Sequence, residues 1–491
     1  MAAVTWGDTA SLTTTQAIAR WARETPKALA VVGGDARVSY RQLAAHIVDT
    51  MRYLSAAGVG PGSIVGIEVG SRYADLLLIL ACEAIGAAHA PFRTAEITDD
   101  DALIPHCDAL WLISDRIANR PGRNILPPDV AFLNPPNAGR FSEADLRALE
   151  TAHPPDTVVR IARTSGTTGH ARNIAMTRRM VESQHAVDDF VLGDNAARYH
   201  FVCFYLSSIT TTWREMGNTL RHGTTVVIDV ARKWPSQLAE FAPCQTYLLV
   251  GDASRIADTA RRNSAAPLPC ALRLIGAAAP RSLWRMLTEH VASGVFSQYS
   301  MTESIMPAVM DENDLGTLLP DVEARLVDKH GDDVAPGQPG TLLVRSPRTC
   351  AGYLWDEART RECFVDGWFR SSDICVMPEP GKIKVIGRAD DTINIGGIKF
   401  LAGQVETHLR DVDGVIDAVL LNVHTGSGVS RPHAVIERLD PDMDERLGAA
   451  IAPIVGEHFA AIPTHFVTEM PRTGLGKVDR AALRDMLRQK Q

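Results

Sequence analysis

The sequence Arg163-Thr164-Ser165-Gly166-Thr167-Thr168-Gly169-His170-Ala171-Arg172 gives the clearest indication of how this chain folds and what it binds. Its two glycines let the backbone approach an anion, its hydroxyls add hydrogen-bond donors, and Arg172 adds positive charge. This composition is typical of a loop that binds phosphate groups, and an ordinary surface turn is the alternative. It is not the nucleotide loop G-x-x-x-x-G-K-[ST], because no Gly-Lys-Ser/Thr follows.

The residues on either side of this loop predict an α/β fold. The apolar run Val158–Ala162 predicts a strand and Thr177–Phe190 predicts a helix, so the loop is expected at the carboxyl end of a strand, where α/β proteins bind ligands. Up to about residue 300, short apolar runs alternate with amphipathic segments, as parallel strands alternate with crossover helices. The segments are Ser63–Val69, Ala74–Ala87, Ala109–Ile113, Thr224–Val230, Thr246–Val250 and Leu272–Ile275.

The pattern changes after residue 320. Short alternating runs separated by glycine turns predict antiparallel strands, in a small sheet or barrel that flanks the main body. These runs are Val322–Val327, Thr341–Arg345, Trp368–Val376 and Lys382–Ile386. After Asp390 a separate α+β domain is expected, whose segments are Gln404–Arg410, Val415–Val423, His433–Glu437, Glu445–Phe459 and Arg480–Arg488.

Composition limits the class of protein. A chain of 491 residues is expected to form two or more domains, and a net charge of −8 argues against nucleic acid as the main partner. The eight cysteines form no C-x-x-C pair and no zinc-like cluster, which favours reduced thiols. No secretory signal and no membrane-spanning segment is apparent. We therefore expect a soluble cytoplasmic enzyme that acts on small molecules, without membrane insertion.

Four further segments strengthen the interpretation of the opening loop as a phosphate-binding loop. They are Gly276-Ala277-Ala278-Ala279-Pro280, Gln298-Tyr299-Ser300-Met301-Thr302-Glu303, Trp368-Phe369-Arg370-Ser371-Ser372-Asp373 with Gly387-Arg388-Ala389-Asp390-Asp391, and Pro471-Arg472-Thr473-Gly474-Leu475-Gly476-Lys477-Val478-Asp479-Arg480. Together with Thr164–Arg172, the chain from about residue 12 to 485 resembles the adenylate-forming superfamily of acyl- and aryl-CoA synthetases, standalone adenylation domains and luciferases. Any one motif could occur by chance, but five in the family's order are very unlikely to.

The resemblance implies an ATP and Mg²⁺ site, and the residue types suit it. Tyr299 offers a flat face to adenine, Glu303 is a hard oxygen ligand for Mg²⁺, Thr302 can donate to the α-phosphate, and Asp373 can accept from both ribose hydroxyls with Arg388 beside it. The structural alternatives are a core tyrosine, a helix N-terminus and an exposed turn aspartate. The predicted ATP/AMP-binding residues are Thr164, Ser165, Gly166, Thr167, Thr168, Gly169, Arg172, Gly276, Ala277, Ala278, Tyr299, Asp373 and Arg388.

The resemblance also implies a division of the chain and a catalytic lysine. The N-terminal adenylation domain spans 1–387, with its β-rich part at about 321–387, and the C-terminal lid domain spans 391–491 after a hinge at 388–390 that includes Asp390. Lys477 is implied to bridge the acid's carboxylate and the α-phosphate, as a catalytic residue together with Thr302 and Glu303. Gly396 and Gly397 resemble the segment that lines a thiol tunnel, with a plain hairpin turn as the alternative.

Some positions depart from the family pattern. Ala171-Arg172-Asn173 stands where Pro-Lys-Gly is usual, and Ser300 stands where glycine is usual. No aspartate lies in Phe204–Met216, which disfavours an ordinary α-amino acid, and the histidine common in fatty-acid and many aryl activators is also missing. Ser207, Thr210, Thr211 and Arg214 instead predict a pocket for a small polar or aromatic acid, although Arg214 can equally face solvent.

The predicted function is adenylation of a small carboxylic acid to acyl-AMP and pyrophosphate, followed by transfer to a thiol. The co-substrate is CoA or the phosphopantetheine of a free-standing carrier protein, since no carrier domain is fused to the chain. Two alternatives stay open. One is a superfamily member with a non-thiol acceptor or an unusual acid, as in amide formation or nitrite adenylation to diazotise an aryl amine. The other is a nucleotide-binding protein without turnover.

Overall fold

The computed structural model describes residues 12–33, 36–69, 71–91, 103, 106–112, 124–126, 141–164, 172–193, 198–204, 209–228, 238–395, 398–424, 430–450, 462–472 and 478–489. The chain divides into two compact units. Unit 1 comprises Met1–Thr246, Met301–Ile305 and Ser346–Gly367, and unit 2 comprises Tyr247–Ser300, Met306–Arg345 and Trp368–Gln491.

Unit 1 contains helices that alternate with short strands. The helices are α1 Thr14–Glu24, α2 Tyr40–Ala56, α3 Arg72–Ile85, α4 Glu143–Ala148, α5 Arg178–Leu192 and α6 Thr210–Arg221. The strands are β1 Leu29–Gly33, β2 Ala36–Ser39, β3 Ile64–Glu68, β4 Ala88–Pro91, β5 Ala109–Leu112, β6 Asn124–Leu126, β7 Val158–Arg163, β8 Asn173–Thr177, β9 His200–Val202, β10 Val226–Ile228 and β11 Cys244–Leu249, whose last residues belong to unit 2.

Two sheets organise these strands. In the first, the order β6-β5-β3-β4-β7 is parallel throughout, and β8 adds to β7 in the antiparallel sense. In the second, β11, β9, β10 and β1 are parallel, and β2 pairs antiparallel at its edge. Later in the chain, unit 1 gains β18 Tyr353–Leu354, which pairs with β8, together with α9 Glu357–Cys363 and β19 Phe364–Val365.

Unit 2 begins with a parallel pair and continues as antiparallel strands. Its elements up to residue 395 are α7 Val250–Arg262, β12 Leu268–Ile275, α8 Arg281–His290, β13 Ala292–Tyr299, β14 Ala308–Met310, β15 Gly316–Leu318, β16 Glu323–Val327, β17 Gly340–Arg345, β20 Trp368–Val376, β21 Lys382–Arg388 and β22 Thr392–Ile395. Strands β12 and β13 are parallel, and the order β13-β14-β15-β21-β20-β17-β16 is antiparallel.

The C-terminal part of unit 2 has its own hydrophobic core. It contains β23 Ile398–Leu401, α10 Ala402–Arg410, β24 Val415–His424, β25 Ser430–Arg438, β26 Thr464–Val467 and α11 Arg480–Gln489. Alternate residues of β24 face two apolar clusters: Ala418 and Leu420 pack with Ile436, and Val419 and Leu421 pack with Leu483. The domain boundary near residue 390 remains a prediction. The separate hydrophobic core of the C-terminal part supports it.

The predicted α/β class and most of the predicted elements are confirmed. The four predicted antiparallel strands after residue 320 correspond to β16, β17, β20 and β21, and the parallel strands before residue 300 lie where the apolar runs predict them. One difference lies directly after the phosphate loop: the helix predicted there begins only after β8, a strand that was not predicted. The loop therefore connects two antiparallel strands. The predicted helix Glu445–Phe459 lies partly outside the described residues.

Two further expectations can be compared with the structure. All eight cysteines are buried, and none of them forms a disulfide. Among the described residues, no helix is both long enough and apolar enough to cross a bilayer.

Candidate functional site

The stem of the predicted phosphate loop is closed by backbone hydrogen bonds in unit 1. The Thr164 N–H donates to the Arg172 carbonyl at 2.8 Å, and the Arg172 N–H donates to Thr164 Oγ1 at 3.3 Å. Thr164 is buried, so its hydroxyl belongs to the stem. Residues Ser165 to Gly169, which carry the predicted phosphate contacts, lie outside the described residues.

The Arg172 side chain points to a glutamate–tyrosine pair. Its guanidinium lies 5.4 Å from the centre of the Tyr353 ring and 3.8 Å from an Asp356 carboxylate oxygen. The Tyr353 hydroxyl donates to Glu303 Oε1 at 2.8 Å. Desolvation, with the Glu303 carboxylate close by, raises the pKa of Tyr353, so the phenol stays protonated as the donor. Unit 1 therefore brings Thr164, Arg172 and Glu303 together through Tyr353.

The geometry around Glu303 is compatible with a magnesium ligand. Because Oε1 accepts from Tyr353, a cation would bind through the other carboxylate oxygen. No group of three or more His, Cys, Asp or Glu residues in the described chain could hold a metal by itself. Mg²⁺ is commonly bound by one or two carboxylates together with substrate phosphates and water, so a single glutamate fits that kind of site.

In unit 2 a second set of predicted residues forms a cluster at the end of β13, the middle of β20 and the end of β21. The Tyr299 hydroxyl donates to Asp373 Oδ2, and desolvation with the adjacent carboxylate holds the pKa of Tyr299 well above its usual range. Asp373 and Arg388 are paired across β20 and β21, with Arg388 Nη1 3.9 Å from Asp373 Oδ1. The Arg388 guanidinium also donates to Ser372 Oγ. The result is an aromatic ring, a carboxylate and a cation side by side.

The loop Gly276-Ala277-Ala278 follows β12 at the same edge of unit 2. Gly276 has a φ of +95°, a conformation that favours glycine, and its backbone lies close to Leu249. Gly276 and Ala277 are exposed and Ala278 is half-buried. Small residues here leave the backbone accessible, as the predicted contact with a base or a carboxylate requires.

The predicted acid pocket involves helix α6. Thr210 and Thr211 lie half-buried in its first turn, while Ser207 is outside the described residues. Arg214 forms an ion pair with Asp188 of α5, and both side chains are 0 % exposed. Its charge is therefore neutralised inside unit 1, where it joins α6 to α5. We leave Arg214 out of the proposed pocket for that reason.

Some of the remaining predicted residues lie in the described part of the chain and others do not. Lys477, Gly396 and Gly397 lie outside the described residues. Asp390 lies in the short 3-10 turn Ala389–Asp391, directly after β21. Thr302 is half-buried beside Glu303, whose carbonyl accepts from the Cys350 N–H at 2.9 Å.

Two residues that contact the site were not predicted from the sequence. Tyr353 lies 50 residues from Glu303, and Asp356 lies far from Arg172 along the chain. The two-residue strand β18 and the helix start that follows it carry no pattern that indicates a contact with a distant glutamate. A co-varying pair of positions would have been the signal, and one sequence does not contain it.

A tyrosine beside a carboxylate, together with an arginine and a glutamate at the stem of a Ser/Thr/Gly loop, are features expected of an enzyme that binds a nucleoside triphosphate. A family model described as AMP-binding enzyme matches residues 18–354. The chain therefore belongs to the AMP-binding enzyme family, within the AMP-dependent synthetase and ligase superfamily.

Individual relatives are similar over nearly the full length. A salicylyl-CoA synthase / salicylate adenylyltransferase of Streptomyces sp is 27% identical over 533 residues, covering 96% of this chain and 93% of the relative. A 2-succinylbenzoate–CoA ligase of Bacillus licheniformis is 24% identical, covering 94% and 97%. The crystal structure of ATP-bound MatB from Rhodopseudomonas palustris has the same fold, with a TM-score of 0.80 at 20% identity over 97% of this chain and 99% of that one.

Proposed function

We propose that the protein is an AMP-forming ligase that adenylates a small carboxylic acid, with aryl or polar acids favoured, and transfers the acyl group to a thiol. In the first step the acid's carboxylate oxygen forms a bond to the α-phosphorus of Mg·ATP, and the bond from that phosphorus to the pyrophosphate oxygen breaks. In the second step the thiol of CoA, or of a separate carrier protein, attacks the acyl carbon. AMP leaves and the thiol proton is released.

The contact between Tyr299 and Asp373 is the observation that carries this proposal. It fixes a carboxylate at the edge of an aromatic ring, and Asp373 Oδ1, which faces Arg388, remains for a ribose hydroxyl. An acidic residue that accepts from ribose hydroxyls is a common element of nucleotide sites. The loop at Gly276 adds exposed backbone in the same unit for the base.

The cluster in unit 1 supports the phosphate half of the proposal. Glu303 supplies a hard oxygen for Mg²⁺, which would neutralise charge on the ATP phosphates when bound. Arg172 supplies a guanidinium over the ring of Tyr353, whose hydroxyl donates to Glu303. We propose Thr302 as a donor to the α-phosphate, Lys477 as the group that bridges acid and phosphate, Asp390 as the hinge, and Gly396 and Gly397 as the thiol passage.

The acid class is proposed from the relatives and from α6. Two full-length relatives are named for aryl acids, salicylate and 2-succinylbenzoate. The first turn of α6 presents the Thr210 and Thr211 hydroxyls, which suit a polar substituent of a compact acid. Their position supports an aryl acid that carries a hydroxyl or amino group.

A panel of acids tests this function. Salicylate, 2-succinylbenzoate, dodecanoate, alanine and nitrite with 4-aminobenzoate would each be incubated with Mg·ATP, and AMP and pyrophosphate would be followed with and without CoA. We expect an aryl acid to give AMP and pyrophosphate in equal amounts, with continued turnover only when CoA or an equivalent thiol is present. Sustained AMP release without a thiol, accompanied by an amide or diazo product, would favour a non-thiol acceptor, and nucleotide binding without AMP from any acid would favour a non-catalytic role.

Replacing Tyr353 with phenylalanine tests the orientation of Glu303. The variant keeps the ring that Arg172 contacts but removes the hydroxyl that donates to Glu303 Oε1. A hydrogen bond to a charged group contributes about 1.5 kcal/mol, so the Mg²⁺ concentration for half-maximal ATP–pyrophosphate exchange should rise roughly tenfold, with the rate at saturating Mg²⁺ little changed. Tyr73→Phe removes a hydroxyl bonded to His46 outside the predicted site and is the control. An unaltered Mg²⁺ dependence in Tyr353→Phe would show that the hydroxyl does not orient Glu303.

A further inference from the structure

The segment that carries Lys477 is anchored by arginines on both of its sides. Arg472 Nη2 donates to Glu437 Oε2 at 2.8 Å and to Asp417 Oδ2 at 3.2 Å, and the two carboxylates are 0 % and 5 % exposed. Arg480 donates to Glu406 Oε1 and to the Leu420 carbonyl, both at 2.8 Å. Arg472 and Val478 also pair in an isolated antiparallel bridge. The described residues that flank 473–477 are therefore held in place by these contacts.

These anchors belong to a continuous network of buried charges. Arg410 Nε donates to Asp417 Oδ1 at 2.8 Å, and Arg410 Nη2 donates to Glu406 Oε2 at 3.3 Å. Arg410 therefore connects the carboxylate that accepts from Arg472 with the one that accepts from Arg480. Breaking one member of such a buried network is costly, because it leaves an opposite charge without compensation. The network joins the residues at both ends of the lysine segment to β24 and α10, and together these elements form one body.

Helix α7 adds a contact from outside this body. Arg255 of α7 donates to Glu437 Oε1, so Glu437 accepts a guanidinium on each oxygen, one from α7 and one from Arg472. The start of α7 also lies against Arg472: a Cβ added to Gly251 would be 2.8 Å from Arg472 Nη2. Two separate contacts thus join α7 to the residue that begins the lysine segment.

The position of α7 relates these contacts to the proposed site. α7 begins directly after β11, and Leu249 at the end of β11 packs against Gly276, whose added Cβ would be 2.9 Å from Leu249 Cδ2. Gly276 starts the loop proposed for the base and the acid. The contacts of Gly251 and Arg255 therefore place the start of the lysine segment at the sheet edge that carries this loop.

We propose that Arg255 and Glu437 are positioning residues for the first half-reaction, because they hold Arg472, which precedes the segment that carries Lys477, against helix α7. The inference rests on the proposed function. The Arg255–Glu437 ion pair has no chemical role in this proposal, because it touches no reacting atom. Adenylation is therefore expected to depend on the Arg255–Glu437 ion pair more strongly than transfer to the thiol does.

The variant Arg255→Ala tests this role through the two half-reactions. Arg255 is 36% exposed and Glu437 keeps Arg472 as a partner, so the fold should survive, and a thermal unfolding curve would check it. Acid-dependent ATP–pyrophosphate exchange should fall by about 10- to 100-fold, the scale of a misplaced catalytic group. Conversion of chemically prepared salicyl-adenylate by CoA should stay the same or rise. Arg255→Lys should recover part of the exchange rate.

The matched control is Arg261→Ala on the same helix, where an exposed arginine pairs with Asp258 of α7. It should leave both half-reactions unchanged. Gly251→Ala is a second, independent variant. Alanine suits a helix, but its Cβ would displace the Arg472 guanidinium, so the same selective loss of exchange is expected.

Hydrogen exchange gives a readout that does not depend on activity. In Arg255→Ala, amides of the Pro471–Asp479 region, including the Asp479 N–H that donates to the Pro471 carbonyl, should exchange faster, while those of β24 and β25 should not. Equal loss of both half-reactions, or wild-type exchange with unaltered amide protection, would overturn the positioning role. If the wild-type protein itself shows no exchange with any acid, the proposed function fails, and the amide protection still decides whether the Arg255–Glu437 ion pair holds the segment.

Discussion

Replacement of Lys477 by alanine is expected to reduce acid-dependent ATP–pyrophosphate exchange by about 100- to 1000-fold. A cationic donor directed at charge that develops in the transition state contributes on the order of 3–4 kcal/mol, and alanine removes all of it. The resemblance assigns this lysine to the first half-reaction alone. Transfer from a supplied acyl-adenylate to CoA should therefore stay within about threefold of wild type, a difference of less than 1 kcal/mol.

The control for this variant is Lys329→Ala, which removes an exposed lysine from a turn between β16 and β17. Its exchange rate should equal that of wild type. Exchange at the wild-type rate in Lys477→Ala would refute the assignment of Lys477. Equal loss in both half-reactions would indicate a structural defect, which thermal unfolding would detect.

Replacement of Asp188 by alanine is expected to produce the largest loss of stability. Asp188 and Arg214 pair with both side chains 0 % exposed, and removing one partner leaves a buried cation. Such changes cost about 3–5 kcal/mol. The free energy of unfolding of unit 1, measured from the urea midpoint, should fall by this amount. The double variant Asp188→Leu/Arg214→Met removes both charges and should recover much of the loss.

An exposed pair in the same unit provides the comparison. Asp156 and Arg179 are 79% and 58% exposed, so Asp156→Ala should change stability by no more than about 0.5 kcal/mol. If Asp188→Ala unfolded at the same urea concentration as wild type, the buried pair would not hold α5 to α6. Loss of acid selectivity without loss of stability would instead return Arg214 to the acid pocket.

Most of the fold could be predicted because hydrophobic periodicity records which face of an element is buried. Strands such as β17 and β20 alternate clearly, and α3 is apolar on nearly every side, so each was predicted within a few residues. β8 was missed because Asn173–Thr177 is short, starts with a polar residue, and follows a loop whose composition suggests only a turn. β8 belongs to the sheet because it pairs with β7, and the hydrophobic periodicity of its own residues does not predict that pairing.

The candidate site was predicted only in part for a related reason. Tyr299, Asp373 and Arg388 could be proposed because each lies in a motif with a recognisable chemistry, and the structure places them side by side. The contact between Arg255 and Glu437 joins residues 182 positions apart, and the burial of Arg214 depends on a partner on another helix. Such contacts are decided by tertiary packing, and a single sequence gives no signal of them.

Activation of an acid as its adenylate transfers one carboxylate oxygen of the acid to AMP. Incubating the enzyme with Mg·ATP, CoA and salicylate labelled with ¹⁸O in the carboxylate tests it directly, because the attacking oxygen remains on phosphorus when the thiol displaces AMP. We predict AMP that carries one ¹⁸O atom from the acid and pyrophosphate that carries none, as measured by mass spectrometry. If the acyl-CoA forms while AMP remains unlabelled, the enzyme does not activate the acid as its adenylate.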